Sequence, residues 1–92
     1  MVNYPNPFNP ETWFPYELDN EAEVVIEIHN LNGMLVRRLE LGPQGRGRYQ
    51  SKNKAAYWNG RTELGESASS GIYFYTLIAG EFSDTRKMVI IK

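Results

Sequence analysis

The sequence predicts an all-β domain, an antiparallel sandwich of short strands. Three observations carry this. Apolar and polar residues alternate with a period of two in several segments. Turn dipeptides such as Asn32-Gly33 and Gly80-Glu81 separate those segments. No stretch of convincing length has helical periodicity, and there is no internal repeat or low-complexity tract.

The elements follow in order. The leading segment "NYPNPFNPET", residues 3–12, carries three prolines and three asparagines. Pro5, Pro7 and Pro10 restrict their own φ and hold Tyr4, Asn6 and Asn9 extended, so the segment orders at little entropic cost. Thr12, Phe14, Tyr16 and Leu18 then alternate with Trp13, Pro15 and Glu17, a strand in which Pro15 marks an edge or a bulge. After the Asp19-Asn20-Glu21 turn, Val24, Ile26 and Ile28 face one way, Glu27 and His29 the other. Asn32-Gly33 predicts a hairpin with a primed turn, positive φ at both residues. The return strand runs from Met34 to Leu41, where Val36 and Leu39 can share a face only through a bulge near Arg37-Arg38.

"GPQGRGR", residues 42–48, reads as a mobile glycine-rich loop, followed by short strands at 49–51 and 54–58 and a long loop over 59–71. "IYFYTLIA", residues 72–79, is a strong central strand, apolar on both faces, and "FSDTRKMVIIK" closes the chain as a last strand. The expected core is Phe14, Tyr16, Leu18, Val24, Ile26, Ile28, Val36, Leu39, Trp58, Tyr73, Tyr75, Leu77, Met88 and Ile90.

Composition bounds the function. The 92 residues make a single domain, 1–92, with 1–10 as its proline-rich lead. Ten basic against eleven acidic side chains, a formal charge of -1, give no electrostatic case for nucleic acid or an anionic membrane. With no cysteine, disulfides, thiolate metal sites and a cysteine nucleophile are excluded. No signal peptide or membrane span is visible; if the protein is exported, its address is expected upstream or in the fold itself, and direct membrane insertion is not expected.

Candidate chemistry is sparse. His29, the one histidine, sits on an outward strand position. Asp19, Asn20, Glu21 and Glu23, or Asn59, Thr62, Glu63 and Glu66, supply oxygens but lack calcium-loop spacing, and read as solvated turns. Arg37, Arg38, Arg46, Arg48, Lys52 and Lys54, interleaved with Tyr49 and Tyr57, could form a basic stripe, which the acidic residues balance. Ser67, Ser69 and Ser70 have no nucleophile-elbow context. Gly42, Gly45 and Gly47 precede neither a helix nor a Lys-Ser/Thr, so they make no phosphate loop. No enzyme and no cofactor is expected. Tyr73 follows a long corner loop, where a sandwich tyrosine bonds backbone a few residues upstream, and Trp58 is placed to pack beneath the same corner.

Four stretches together carry a resemblance: the "NYPNPFNPET" lead, "NLNGMLVRRLELG", "AAYWNGRTELGESASSGIYFYTLIAGEF" and "TRKMVIIK". In that order they resemble the C-terminal sorting domain of type IX secretion, also described as the FlgD-type Ig-like domain, over essentially the whole chain. The resemblance implies an Ig-like or fibronectin-III-like sandwich of about seven strands. It implies a non-catalytic module that presents a secretion signal to the export machinery of the bacterial envelope. Its other partners would be upstream domains of the same polypeptide, and its location secreted or cell-surface via the periplasm. The motif positions in this chain are Pro5, Pro7, Phe8, Pro10, Asn32, Gly33, Trp58, Gly60, Gly71 and Tyr73. The sequence departs from the family where Trp-Asp-Gly-Arg becomes Trp58-Asn59-Gly60-Arg61, where His29 replaces an aromatic, and in the longer "GPQGRGRYQSKNK".

Within this frame the lead is a stiff clasp: Tyr4 and Phe8 plug one end of the sandwich while Asn6 and Asn9 bond exposed backbone. The last strand is the expected handle. Arg86, Lys87 and Lys92 would give charge selection, and Val89 and Ile91 an apolar outer stripe beside the core pair Met88 and Ile90, for a partner that adds a strand. An accessory module binding protein or carbohydrate, through an aromatic platform of Trp13, Tyr49 or Tyr57, is the alternative, and a self-associating hook-scaffold-like module a third.

Overall fold

The computed structural model describes residues 2–91, so Lys92 lies outside the described residues. Among them are eight strands and no helix: β1 (Thr12–Phe14), β2 (Tyr16–Leu18), β3 (Ala22–Asn30), β4 (Leu35–Gln44), β5 (Gly47–Tyr49), β6 (Ala56–Trp58), β7 (Gly71–Ala79) and β8 (Phe82–Ile90). β3, β4, β7 and β8 form an antiparallel sheet in the order β4-β3-β7-β8. β1 pairs with β6 and β2 with β5. These two ribbons form the second layer, because Pro15, with no N–H, divides one alternating run into β1 and β2.

The core lies between the layers. Phe14, Tyr16, Leu18 and Trp58 from the ribbons pack with Val24, Ile26, Ile28, Tyr73, Tyr75, Met88 and Ile90 from the large sheet. The Phe14 and Tyr75 rings meet at 4.5 Å across it. Val36, Leu39 and Leu77 are partly buried at its margin. Every expected core position therefore packs in or against the core. The lead adds Phe8, and small residues at Ala56, Ala68 and Ala79 complete it. Two polar side chains, Asn3 and Thr12, are also fully buried.

Register explains β4. His29 pairs with Leu35 while Ile28 pairs with Arg37, so Val36 is the extra residue of a bulge that returns it to the core side. A second shift follows, with Val24 opposite Gly42 and Val25 opposite Glu40. Gly42, at φ 74, is part of this bulge. Consequently β4 runs on to Gln44, and β5 begins at Gly47. The expected mobile loop over 42–48 is thus mostly strand, because the bulge lets a Gly-Pro pair stay in the ladder. The two later strands also shift, to 47–49 and 56–58.

The first hairpin is corrected in detail. Among the described residues no non-glycine has positive φ, so Asn32 does not, whereas Gly33 sits at φ 81. Gly33 N donates to Asn30 O at 2.9 Å and Asn30 N to Met34 O at 3.0 Å. This is a three-residue loop with a left-handed glycine, not a two-residue primed turn. Asn30 holds it by accepting from Asn32 N and Met34 N through Oδ1, both at 3.0 Å.

The clasp, the tyrosine corner and the terminal edge

The leading segment is tied down along its length. Tyr4 exchanges two backbone hydrogen bonds with Trp13, at 2.9 and 2.8 Å, and its hydroxyl donates to Gln50 O. Asn3 is buried: its N–H donates to the Tyr75 hydroxyl at 3.1 Å and its Nδ2 to Thr12 Oγ1 at 3.0 Å. Thr12 Oγ1 in turn donates to Pro5 O at 3.0 Å. Phe8 then plugs the sandwich end, its ring edge-on to Trp58 at 5.8 Å. Pro5, Pro7 and Pro10 are exposed, so they work as stiffeners rather than as core. Asn6 bonds backbone, but Asn9 makes no side-chain hydrogen bond among the described residues; Asn3 supplies the second anchor. Nothing in the sequence pattern distinguishes Asn3 from the other two asparagines, since its burial depends on the distant Tyr75 and Thr12.

Gly60 receives the end of the clasp. Its φ is 80, and a Cβ there would stand 2.1 Å from Pro10 O. Around it Trp58 Nε1 donates to Arg61 O at 2.9 Å, and Asn59 Oδ1 accepts from Arg61 N at 3.0 Å. The amide oxygen of Asn59 thus makes this turn bond without a carboxylate. Arg61 reaches Gly65 O at 2.9 Å, closing the loop. Tyr73 donates to Ser69 O at 2.8 Å, four residues upstream, which is the corner the sequence predicts. Gly71 begins β7 opposite Ile90.

The terminal strand lies at the edge of the large sheet. Its end is already occupied. Phe8 N donates to Val89 O at 3.1 Å and Ile91 N to Phe8 O at 3.0 Å, a parallel bridge, while Val89 N donates to Asn6 Oδ1 at 3.0 Å. The N–H and C=O of Val89 and the N–H of Ile91 are therefore not open to an added strand. Ladder alternation aims the N–H and C=O of Ser83, Thr85 and Lys87 outward in the same direction, and no described residue pairs with them. The open edge is thus 83–87. Arg86 points to the core side, paired with Asp84 at 3.0 Å. Lys87, Val89 and Ile91 belong to the outward face with Ile72 and Phe74; Ile91 is 54% exposed and Val89 half-buried.

The remaining candidates disperse. Arg37 pairs with Glu63, Arg38 with Glu27 and Glu40, and Arg48 with Glu17, so acidic partners interrupt the stripe, while Arg46, Arg48 and Lys54 gather with Tyr49 around one pocket of about 300 Å³. Lys52 sits over Trp13 at 4.4 Å, whose ring also stacks on Tyr4 and tilts onto Tyr57. Tyr49 stacks on Tyr16 at 4.6 Å. Burial, with Tyr49 beside it, pushes the Tyr16 phenol up to about 12. Burial also raises Tyr75, and the hydrogen bond to Glu11 raises Tyr57. His29 lies on the outward face opposite Phe74. Among the described residues no three His, Asp or Glu side chains converge as a metal would require.

The architecture and the corner define an Ig-like module. The chain belongs to the FlgD Ig-like domain family, which matches residues 11–81. Its fold is similar to a part of dimeric latent PorU from Porphyromonas gingivalis, with TM-score 0.65 and 20% identity over 98% of this chain and 9% of that one. It is also similar to a part of PorZ, described as an essential surface component of the type IX secretion system of the same organism, with TM-score 0.61 and 20% identity over 98% of this chain and 11% of that one. The chain thus spans about a tenth of the length of either protein. No curated protein sequence matches it.

Proposed function

We propose that this chain is a non-catalytic sorting or anchoring domain of a secreted or cell-surface bacterial protein, presented folded to the export machinery of the envelope. The observation that carries the reading is the clasp. It pins the lead, where an upstream domain would join, against Val89 and Ile91 of the terminal strand. Family membership and the likeness of fold to parts of two proteins, one described as a type IX secretion component, support it. The face to be read is the outward side of β8 and its extension, where Lys87, Val89 and Ile91 give a cation beside an apolar stripe, with Arg86 at the core side and Lys92 beyond. Recognition through these side chains needs no displacement of the clasp. The carbohydrate-platform alternative is weakened, because Lys52, Tyr4 and Tyr57 crowd the Trp13 ring and Tyr16 stacks on Tyr49.

The test is a secreted reporter fused to this domain in a host with a type IX system. The wild-type fusion should reach the surface. A folded Val89→Asp/Ile91→Asp double variant should be retained. Export of that folded variant at the wild-type level would place recognition elsewhere.

A further inference from the structure

We propose that two copies of this chain associate edge to edge through residues 83–87 of β8, antiparallel about a two-fold axis at Thr85. This is separate from the sorting reading, which concerns the outward face. The starting observation is the open edge itself: Ser83, Thr85 and Lys87 present unpaired backbone groups, bounded by the Gly80-Glu81 turn at one end and by the clasp on Val89 at the other.

A two-fold pairing centred on Thr85 sets Thr85 against Thr85, Ser83 against Lys87, and Asp84 against Arg86. The outward-pointing residues are the odd-numbered ones, so these pairs meet as hydrogen-bonded pairs, about six bonds in all. The partner's hairpin turn then falls opposite Val89, where the clasp begins, so the two open edges match in length. Other registers are worse. Sliding one way by a two-residue step puts Asp84 against Asp84. Sliding the other way puts Arg86 against Arg86 and runs the partner strand into Asn6 and Phe8.

Side chains fit the same register. On the core side, Arg86 and Asp84 already pair at 3.0 Å with both side chains around 40% exposed (39% and 42%). The partner's pair would turn this into an alternating ring of four charges. A groove of about 160 Å³, whose lining includes Glu17, Phe82, Asp84 and Arg86, lies beside that edge. On the outward side Thr76 and Thr85 share a hydroxyl contact at 2.8 Å, which the partner would continue as a threonine row. Two four-stranded sheets would then join as one. The occupant is a second copy because Asp84 and Arg86 of one edge meet Arg86 and Asp84 of the other, opposite charges in both places.

Sedimentation equilibrium on the 92-residue chain, from about 10 μM to about 1 mM, tests this. A reversible monomer–dimer equilibrium is expected within that range. Thr85→Pro removes the central outward N–H without touching a backbone bond to β7, losing only the Thr85 hydroxyl contact to Thr76, and should weaken dimerisation at least about tenfold while leaving the monomer's circular dichroism unchanged. Thr85→Val, which loses the hydroxyl but keeps the N–H, is the control and should dimerise far better than Thr85→Pro. Asp84→Arg alone should also weaken it, and Asp84→Arg/Arg86→Asp should restore it. The chain has no cysteine, so Thr85→Cys should cross-link on oxidation, the paired Cα atoms lying about 5.5 Å apart, whereas Ser83→Cys should not. A monomer throughout, a dimer indifferent to the folded proline and charge variants, or cross-linking at 83 rather than 85 would each overturn the proposal.

Discussion

Replacing Gly60 by alanine isolates what the clasp contributes. Two costs arise. A non-glycine residue held in the left-handed region loses about 1–2 kcal/mol, and Gly60 sits at φ 80. The added Cβ would also stand 2.1 Å from Pro10 O, a backbone atom that cannot swing aside as a flexible side chain does. The lead must open by about 1 Å, loosening the Phe8 ring from Trp58. Full loss of a buried phenylalanine costs about 3–5 kcal/mol, so a partial loss adds about 1–2. Gly60→Ala should therefore destabilise by about 2–4 kcal/mol. In a 92-residue domain that lowers Tm by roughly 10–25 °C. Gly33→Ala is the control, since Gly33 has φ 81 but nothing within 4 Å of the new Cβ. It should cost only the conformational part, about 1–2 kcal/mol. Urea melts of both variants give the comparison. Equal midpoints for the two would refute the close-approach argument.

Phe8→Ala should cost about 3–5 kcal/mol and speed amide exchange at Val89 and Ile91 ahead of exchange in β3 and β7, as read by NMR hydrogen exchange. Tyr73→Phe leaves Ser69 O without its donor and should cost about 1 kcal/mol in a urea melt. The folded-state phenol of Tyr16 lies above its ordinary 10.0, at about 12. The neutral form is thus favoured by folding, so this contribution is intact below pH 10 and is lost as pH rises through about 12. Tyr16→Phe should flatten the decline in urea midpoint over that window, and an unchanged slope would show that Tyr16 does not titrate with unfolding.

Much of the fold was legible because period-two alternation and burial are the same fact seen twice. Val24, Ile26 and Ile28 lie on one face of β3 and are all buried, as are Thr12, Phe14, Tyr16 and Leu18 despite the interruption at Pro15. Tyr73 was readable from its place after a corner loop. What failed was local backbone conformation set by distant pairing. Asn32-Gly33 alone cannot reveal that Asn30 captures Met34, and the glycines at 42 and 47 look like a loop until β3 and β2 supply partners. The status of the last strand was half legible. Alternation placed Met88 and Ile90 inside, but only the fold brings Asn6 and Phe8, more than eighty residues away, onto Val89.

That parallel bridge has a mechanical meaning. Phe8 runs alongside Ile90 in the same direction, so tension drawing the lead backward and the last strand forward pulls along the two segments rather than across them. The bonds Val89–Asn6, Phe8–Val89 and Ile91–Phe8 then bear the load together in shear instead of breaking one by one like a zip. A pull on both ends would thus be met first at the seam where the lead and the last strand lie side by side.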